Sequence, residues 1–228
     1  MNVISIRDLK FGYDQGHQNQ LVLNISELDF AKGESVFLFG SSGSGKTTLL
    51  EILAGVLKEN SGTIQYLKND FHLLNQIQRD QFRSENIGYI FQQFNLIPYL
   101  TVKENIQLPF LFNQKKIDET FYLTLLQELG LKKIENQLAQ NLSVGQQQRV
   151  AAARAMIIKP QVILADEPTS ALDYDHREKF LNLIFDLVRQ IQATLIFVSH
   201  DRSIMHLFNR QIELSQFNKA SLAPESFL

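Results

Sequence analysis

The sequence predicts an α/β protein with a largely parallel sheet, an antiparallel β part at its N-terminus and an inserted helical segment. Apolar residues recur with a period near two through most of the first thirty residues, as in half-buried antiparallel strands. Short apolar runs at 36–39, 162–165 and 195–198 are typical of buried parallel strands. Residues 95–160 have mostly helical spacing instead, which indicates an insertion into the α/β order.

The individual elements follow from periodicity and from turn residues. Strands are predicted, in chain order, at 3–11, 21–30, 36–39, 62–66, 87–91, 162–165, 194–199 and 210–214. Helices are predicted from Lys46 to about Val56, over 121–129 before a capping Gly130, from Ser143 to before Pro160, over 179–192 and over 203–208. Residues 216–228 carry no clear pattern.

Composition excludes several classes of protein. The 228 residues include 22 Lys+Arg and 24 Asp+Glu, so the net charge of −2 gives no basic footprint for nucleic acid. There is no cysteine, which excludes disulfides and thiolate metal sites. The longest apolar run is four residues, whereas a membrane-spanning helix needs about twenty, and the first ten residues do not resemble a signal peptide.

The strongest motif is the glycine-rich run GSSGSGKT at 40–47, which matches G-x-x-x-x-G-K-[ST]. Glycines let backbone amides curl around phosphate oxygens, and the following helix points the positive end of its dipole at them. Lys46 would reach the β- and γ-phosphates, and the Thr47 hydroxyl would hold Mg²⁺. The alternative interpretation is a plain Ser/Gly turn. A phosphate loop requires a strand before the run and a helix after it, and both are predicted here.

Two carboxylates, Asp166 and Glu167, follow the apolar run at 162–165, where open α/β sheets bind ligands. In isolation this pair could equally form a turn or a helix cap. Beside a phosphate loop, Asp166 is expected to bind at Mg²⁺ and Glu167 to polarise or deprotonate the attacking water. The pair lies 120 residues after Lys46, far more than the roughly thirty of a single strand–helix–strand crossover, which also indicates an insertion.

Four further features allow two readings each. Ser143 and Gln146 form an S-x-x-Q capping box, yet the same helix start could be a second anion site. His200 follows a predicted strand, and Gln92 and Tyr13 lie in turns; each could be structural or functional. The residues by themselves leave these alternatives open.

Taken in order along the chain, these motifs resemble the ATP-binding subunits of ABC transporters over about residues 3–214. The phosphate loop is followed by the glutamine of the glutamine loop (Gln92), by LSVGQQQR at 142–149 as the signature, by VILADE at 162–167, by SALD at 170–173 as the D-loop, and by His200 as the switch histidine. The signature departs from the usual LSGGQ at Val144. The resemblance implies the ABC ATPase fold on a P-loop NTPase core.

The resemblance also implies a division of the chain. Residues of about 1–94 and 161–215 would form the catalytic core with its β subdomain, about 95–160 a helical signature subdomain, and 216–228 a tail. Two copies would sandwich two ATP molecules head to tail, so that the signature of one chain caps the γ-phosphate held by Lys46 of the other. Ser143 would then be both a helix cap and a ligand.

The site residues implied by the resemblance fall into four groups. ATP would be bound by Tyr13, Gly40, Ser41, Ser42, Gly43, Ser44, Gly45, Lys46, Thr47 and Thr48. The ATP of the partner subunit would be met by the signature residues Ser143, Val144, Gly145 and Gln146, with Asp173 in the D-loop. Catalysis would involve Glu167, His200 and Gln92. Mg²⁺ would be held by Thr47, Gln92 and Asp166.

The implied partners are a second copy of the chain and an integral-membrane permease, whose coupling helix would enter a groove near the segment after Gln92. NIGYIFQQFNLIPYLTVKENIQLP and ADEPTSALD are similar to the lipoprotein-releasing and macrolide-exporter branch, although QQFNL and TSALD also occur in amino-acid importers. A regulator of cell-wall hydrolases, like the cell-division ATPase, is a further alternative. The expected location is the cytoplasmic face of the inner membrane, as a peripheral protein.

Overall fold

The computed structural model describes residues 1–13, 20–67, 69–113, 115–170 and 174–220. Its strands are β1 (Asn2–Tyr13), β2 (Gln20–Ala31), β3 (Ser35–Phe39), β4 (Ser61–Tyr66), β5 (Asn69–Asp70), β6 (Ile87–Ile90), β7 (Val162–Asp166), β8 (Thr194–Val198) and β9 (Arg210–Glu213). Its α-helices are α1 (Lys46–Leu53), α2 (Gln76–Asn86), α3 (Val102–Gln107), α4 (Glu119–Glu128), α5 (Val144–Met156), α6 (Tyr174–Gln190) and α7 (Leu214–Phe217). No helix among the described residues is both long and apolar enough to cross a bilayer.

A five-stranded parallel sheet in the order β6-β7-β8-β3-β9 forms the centre of the molecule. All five residues of β7 and all five of β8 are buried. Both faces of this sheet are therefore covered, which explains why these strands are uninterrupted apolar runs rather than alternating ones.

The parallel sheet separates two hydrophobic clusters. Along β3, Phe37 belongs to the cluster that includes α3, α4, α5 and α6, whereas Val36 and Leu38 belong to the cluster with α1 and the antiparallel strands. Successive side chains of a strand point to opposite faces, so one short strand contributes to both clusters. The helices of residues 102–156 thus pack against one face, and the β-rich N-terminal part packs against the other.

A second, antiparallel sheet has the order β2-β1-β4-β5. Strand β1 pairs with β2 on one side and with β4 on the other. Beyond β9, the chain forms the short helix α7 and reaches β2, where Asn218 bridges to Ile25.

The predicted α/β class, with a parallel sheet and an antiparallel N-terminal part, is confirmed, and most element positions agree. Helix α6 begins at Tyr174 rather than near residue 179, since its first turn is polar and the apolar periodicity starts later. The predicted helix at 203–208 is a 3-10 turn at Arg202–Leu207. Helix α2 is present although no helix was predicted for this segment.

Candidate functional site

The motif-bearing loops leave the parallel sheet side by side at its carboxyl edge. Leu38 of β3 and Asp166 of β7 are both in register with Val198 of β8, and Ile90 of β6 is in register with Ala165. Because the strands are parallel, the segments that follow them emerge at this one edge. The phosphate loop, the acidic pair, His200 and Gln92 are therefore neighbours in space, although up to 160 residues separate them in the chain.

The loop at 40–46 adopts a conformation that requires glycine. Gly43 and Gly45 have φ values of +73° and +94°, in the left-handed region. A Cβ at Gly45 would lie 2.7 Å from Leu23 Cδ2, and one at Gly40 would lie 2.8 Å from Ser44 Oγ. Conformation thus disfavours a side chain at Gly43, lack of space disfavours one at Gly40, and both do so at Gly45, so the loop backbone itself lines the site.

Lys46 is the first residue of α1 and is only 6% exposed. Its Nζ donates hydrogen bonds to the carbonyl oxygens of Gly40 at 3.0 Å and Ser41 at 2.8 Å. Burial lowers the pKa of Lys46, and the charges of Asp166 and Glu167 oppose this shift. A buried ammonium group held by its own loop is well placed to receive an anion.

Asp166 is the last residue of β7 and is 7% exposed. Burial raises the pKa of its carboxyl, and the negative charge of Glu167 adds to that shift. The nearby Thr47 hydroxyl and the charge of Lys46 act in the opposite direction. A hydroxyl close to a carboxylate offers the hard oxygen ligands that Mg²⁺ prefers, so the donor set fits this ion.

Glu167 contacts His200 directly: its Oε1 lies 2.7 Å from His200 Nε2. Glu167 has a φ of +44°, uncommon for a residue with a side chain, and its N–H donates to the carbonyl of Val198 at 2.9 Å. Backbone strain of this kind persists only where the surroundings impose it, and it often accompanies a functional site. The structure therefore joins the second carboxylate of the pair to the histidine two residues beyond β8.

The start of α5 shows both halves of the predicted capping box. Ser143 Oγ accepts a hydrogen bond from the Gln146 N–H at 3.4 Å, and the Ser143 N–H donates to Gln146 Oε1 at 2.9 Å. Ser143 and Val144 are exposed, and a Cβ at Gly145 would meet nothing within 4 Å. Further along α5, buried Gln148 donates from Nε2 to the carbonyl of Pro168, next to the acidic pair.

The remaining predicted residues stand at the rim of the site or outside the described chain. Gln92 is exposed in the turn after β6. Tyr13 ends β1, is 42% exposed and makes an edge-to-face contact with Phe11 at 5.0 Å. In the phosphate loop, Ser41 and Ser42 are exposed, as is Thr47, whereas Ser44 and Thr48 are buried. Asp173 lies outside the described residues.

A groove of about 920 Å³ lies behind the turn that contains Gln92. It lies between α2, the segment 108–113 and the end of α5. Three of its apolar side chains are largely exposed: Ile77 (79%), Leu111 (77%) and Phe112 (70%). Exposed apolar groups grouped in a concave surface are typical of an interaction site. The clustered Phe and Leu residues at 110–112 were the sequence signal that could have located it.

Two arginines stabilise the elements that form this groove. Arg154 of α5 donates to the carbonyls of Phe94 and Asn95 at 2.5 and 2.6 Å, and burial lowers its pKa to about 10. Arg79 is 1% exposed and makes a bidentate pair with Glu59, with Nη1–Oε2 at 3.1 Å and Nη2–Oε1 at 3.0 Å. Of the described side chains of α2, Arg79 alone is buried, and half-buried Phe82 packs against the rings of Tyr66 and Phe71. The ion pair and this aromatic contact together fasten the helix to the core.

A glycine-rich loop that opens a helix, beside an acidic strand end on a parallel sheet, defines a P-loop nucleotide-binding protein. The family model described as ABC transporter matches residues 23–170. This chain belongs to that family and is an ATP-binding, ATP-hydrolysing cassette.

Relatives of similar length match nearly the whole chain. The ABC transporter ATP-binding protein YbbA of Escherichia coli (strain K12) is 39% identical over 215 residues, which are 93% of this chain and 94% of the relative. The bacitracin export ATP-binding protein BceA of Halalkalibacterium halodurans is 38% identical over 204 residues, 88% and 80% of the two chains. The putative hemin import ATP-binding protein HrtA of Staphylococcus aureus (strain N315) is 39% identical over 215 residues, which are 92% of this chain and 95% of the relative.

The fold also matches solved cassettes. The dimeric structure of the ATP-binding cassette MJ0796 in a post-hydrolysis state, bound to ADP and Pi, has a TM-score of 0.83 and 34% identity. The match covers 92% of this chain and 93% of that one. A second dimeric MJ0796 structure matches with the same TM-score and 35% identity. The predicted ABC ATPase fold is thereby confirmed.

Proposed function

We propose that this chain powers an ABC transporter: it binds Mg-ATP at the carboxyl edge of the parallel sheet, closes with a second copy on two nucleotides, and drives a membrane partner. One observation carries this proposal. The phosphate loop with Lys46, the Thr47 hydroxyl near Asp166, and the Glu167–His200 contact lie together at one edge of the sheet. Binding of phosphate, binding of metal and activation of water each have a residue there.

The loop and its flanks would bind the nucleotide. The amides of 40–47 and the Lys46 ammonium would surround the β- and γ-phosphates, and exposed Tyr13 would stack on adenine. Thr47 and Asp166 would hold Mg²⁺, joined by Gln92 from the neighbouring loop. The bound ion would neutralise part of the charge on the phosphates.

Hydrolysis would use Glu167 as the general base. The carboxylate takes a proton from water while the water oxygen forms a bond to the γ-phosphorus; the bond to the bridging oxygen breaks, and its electron pair leaves on ADP. His200 holds the carboxylate at 2.7 Å and thus orients it. Because the oxygen–phosphorus bond is made to water, the products are ADP and inorganic phosphate.

The dimer would place the start of α5 from one copy over the nucleotide of the other. The exposure of Ser143 and the open space around Gly145 support this arrangement, since the helix start is accessible to a ligand from outside the chain. The likeness to the dimeric MJ0796 cassette bound to ADP and Pi gives further support. Asp173 would contribute at the same interface.

The groove beside α2 would receive the coupling helix of the membrane partner. Its apolar rim supports this occupant, as does its position against the turn after Gln92, which Arg154 ties to the signature helix. In the proposed division of the chain, the groove lies where the helical signature subdomain (about 95–160) meets the catalytic core (about 1–94 and 161–215). Motion at the nucleotide would thereby reach the membrane.

For the transporter branch we propose the lipoprotein-releasing and macrolide-exporter type, acting at the cytoplasmic face of the inner membrane. The motif sequences around Gln92 and Asp166 support this branch, as does the bacitracin export for which BceA is named. HrtA is named for hemin import, so an importer remains the alternative class.

A capture experiment tests the groove and the branch together. Tagged chain is purified from gently solubilised membranes, either as wild type or as Phe112→Asp, with Leu123→Asp as a control because Leu123 is 51% exposed outside the groove. We expect wild type and Leu123→Asp to retain one integral-membrane partner, and Phe112→Asp to lose it while its ATPase activity persists. A four-span partner with a large periplasmic domain supports the exporter branch. A permease of five or six spans with a solute-binding protein would favour an importer.

A further inference from the structure

The segment after β9 folds back onto the phosphate loop. Leu214 of α7 is completely buried, and its Cβ lies 3.8 Å from where a Cβ on Gly40 would stand. The next turn runs along β2, where the Lys219 N–H donates to the carbonyl of Asn24 at 2.8 Å. The end of the described chain is thus built into the back of the nucleotide site.

Asn218 is the centre of this contact, because its side-chain amide makes four hydrogen bonds. Nδ2 donates to the carbonyls of Val22 at 2.9 Å and Ser44 at 3.2 Å. Oδ1 accepts from the N–H groups of Asn24 at 2.8 Å and Ala220 at 3.1 Å. A carboxamide has two donor hydrogens and two acceptor lone pairs, so its whole capacity is used. Two carbonyls on one side and two N–H groups on the other fix its orientation without ambiguity.

We propose that Asn218 is a positioning residue for the phosphate loop. Its bond to the Ser44 carbonyl holds the peptide unit between Ser44 and Gly45 from behind. In a trans peptide the carbonyl and the N–H of the same unit point in opposite directions. Fixing the Ser44 carbonyl toward Asn218 therefore aims the Gly45 N–H toward the mouth of the loop, where phosphate oxygens bind.

The second donor bond strengthens this effect. Val22 O, which Asn218 also holds, would lie 3.2 Å from a Cβ at Gly45, so β2 and the loop are in close contact at this point. One side chain thus sets the distance between three chain segments: the loop, β2 and the C-terminal turn. A preorganised donor costs no rearrangement when the anion arrives. The inference rests on the proposed nucleotide site at this loop.

The competing explanation is that Asn218 merely fastens the chain end. Fastening would affect thermal stability alone, whereas positioning would affect phosphate binding. Two variants separate these effects. Asn218→Ala removes all four bonds. Asn218→Asp keeps the bonds from Asn24 and Ala220 but sets carboxylate oxygen against the carbonyls of Val22 and Ser44.

Asn209→Ala is the matched control. Asn209 Oδ1 accepts from the N–H of Ser35 at 3.0 Å and from the Ser35 hydroxyl at 2.8 Å, so it anchors the opposite end of β3, away from the loop. The measurements are ADP affinity, kcat and KM for Mg-ATP, and Tm without nucleotide, all on the full chain.

We expect Asn218→Ala to weaken ADP binding and to raise KM by roughly tenfold, the scale of one lost hydrogen-bonded contact, with a smaller change in kcat. Asn218→Asp should weaken binding at least as much, and Asn209→Ala should lower Tm without changing affinity. Wild-type ADP affinity in a folded Asn218→Ala chain would overturn the inference, as would loss of the fold in both Asn218 variants. Failure of the wild-type chain to bind ADP would instead overturn the proposed nucleotide site itself.

Discussion

Two helix starts in this molecule are available to an anion, and they are built in opposite ways. Helix α1 begins after Gly45, which has no side chain to cap the first amides, and carries buried Lys46 as its first residue. Helix α5 begins after Ser143, whose capping box with Gln146 is complete. The start of α1 leaves its backbone N–H groups free to bind the nucleotide. At the start of α5, the Ser143 side chain already accepts a hydrogen bond from one of these N–H groups.

The difference matches the surroundings of each helix. The start of α1 is enclosed by its loop and by β2, so it can hold unsatisfied amides for a ligand that always arrives at the same place. The start of α5 is exposed and must be stable when a chain is alone, because its proposed ligand belongs to a second copy. A capping box provides that stability.

The largest expected effect comes from removing the charge at the first helix start. Lys46→Ala should lower ATP turnover by at least roughly a hundredfold and abolish most nucleotide affinity, since the ammonium opposite the β- and γ-phosphates is lost. The fold should persist. ATPase assays and circular dichroism check this, with Lys58→Ala as a control on an exposed lysine just beyond α1. Wild-type turnover in Lys46→Ala would contradict the assignment of the loop.

The next effect separates binding from chemistry. Glu167→Gln keeps the shape of the side chain but cannot take the proton from water, so hydrolysis should slow by roughly a hundredfold while ATP still binds. The closed dimer should then accumulate. Size-exclusion chromatography should show a dimer with Mg-ATP and a monomer with ADP. If Glu167→Gln hydrolyses at the normal rate, Glu167 is not the base and His200, its partner at 2.7 Å, becomes the next candidate.

A third experiment tests whether the second helix start serves another chain. Ser143→Arg should lower turnover by at least roughly tenfold, because it obstructs the cap over the partner's phosphate. Mixed with Lys46→Ala, it should recover roughly a quarter of wild-type activity, since half of random dimers hold one intact composite site of two. ATPase titration of one variant into the other measures this. No recovery on mixing would contradict the expectation that a heterodimer holds one working shared site.

The smallest effect concerns stability. Burial raises the pKa of Asp166, so ionisation of this carboxyl destabilises the folded chain when no nucleotide is bound. The protonated carboxyl therefore contributes to the free energy of unfolding at low pH. That contribution is lost as the pH rises through the pKa of Asp166 in the folded state. Asp166→Asn should therefore raise the apo Tm at neutral pH and abolish ATPase activity. The gain in Tm should shrink as pH falls. Thermal melts across pH test this; a lower Tm for Asp166→Asn at neutral pH would contradict it.

Much of the site was predictable because short segments of sequence are enough to identify the ends of strands. A short apolar run followed by a glycine-rich loop or by an acidic pair marks a carboxyl strand end, and parallel pairing brings such ends together. Helix α2 was not predictable in this way. Its eleven residues are mostly polar and carry no apolar stripe, because the helix is attached through buried Arg79 and one aromatic side chain, Phe82, instead of a continuous hydrophobic face.

Two contacts could not be read from the sequence for another reason. The Glu167–His200 contact joins residues 33 positions apart, and it depends on β7 and β8 being neighbours in the sheet. The partners of the Asn218 side chain are all backbone atoms, which have no residue-specific signature. Pairing with main-chain groups is invisible in a sequence until the path of the chain is known.

The attachment of α2 has a consequence for how such a protein diversifies. The helix is fastened by one arginine, which bonds Glu59 and the carbonyls of His72 and Leu74, and by the packing of Phe82 on core aromatic rings. Its outward residues, Ile77 among them, are exposed on the groove. Substitutions there change the surface offered to a partner while the buried pair and the ATPase edge stay as they are. Such substitutions could thus change which membrane partner the proposed docking groove accepts, while the site of ATP hydrolysis is unchanged.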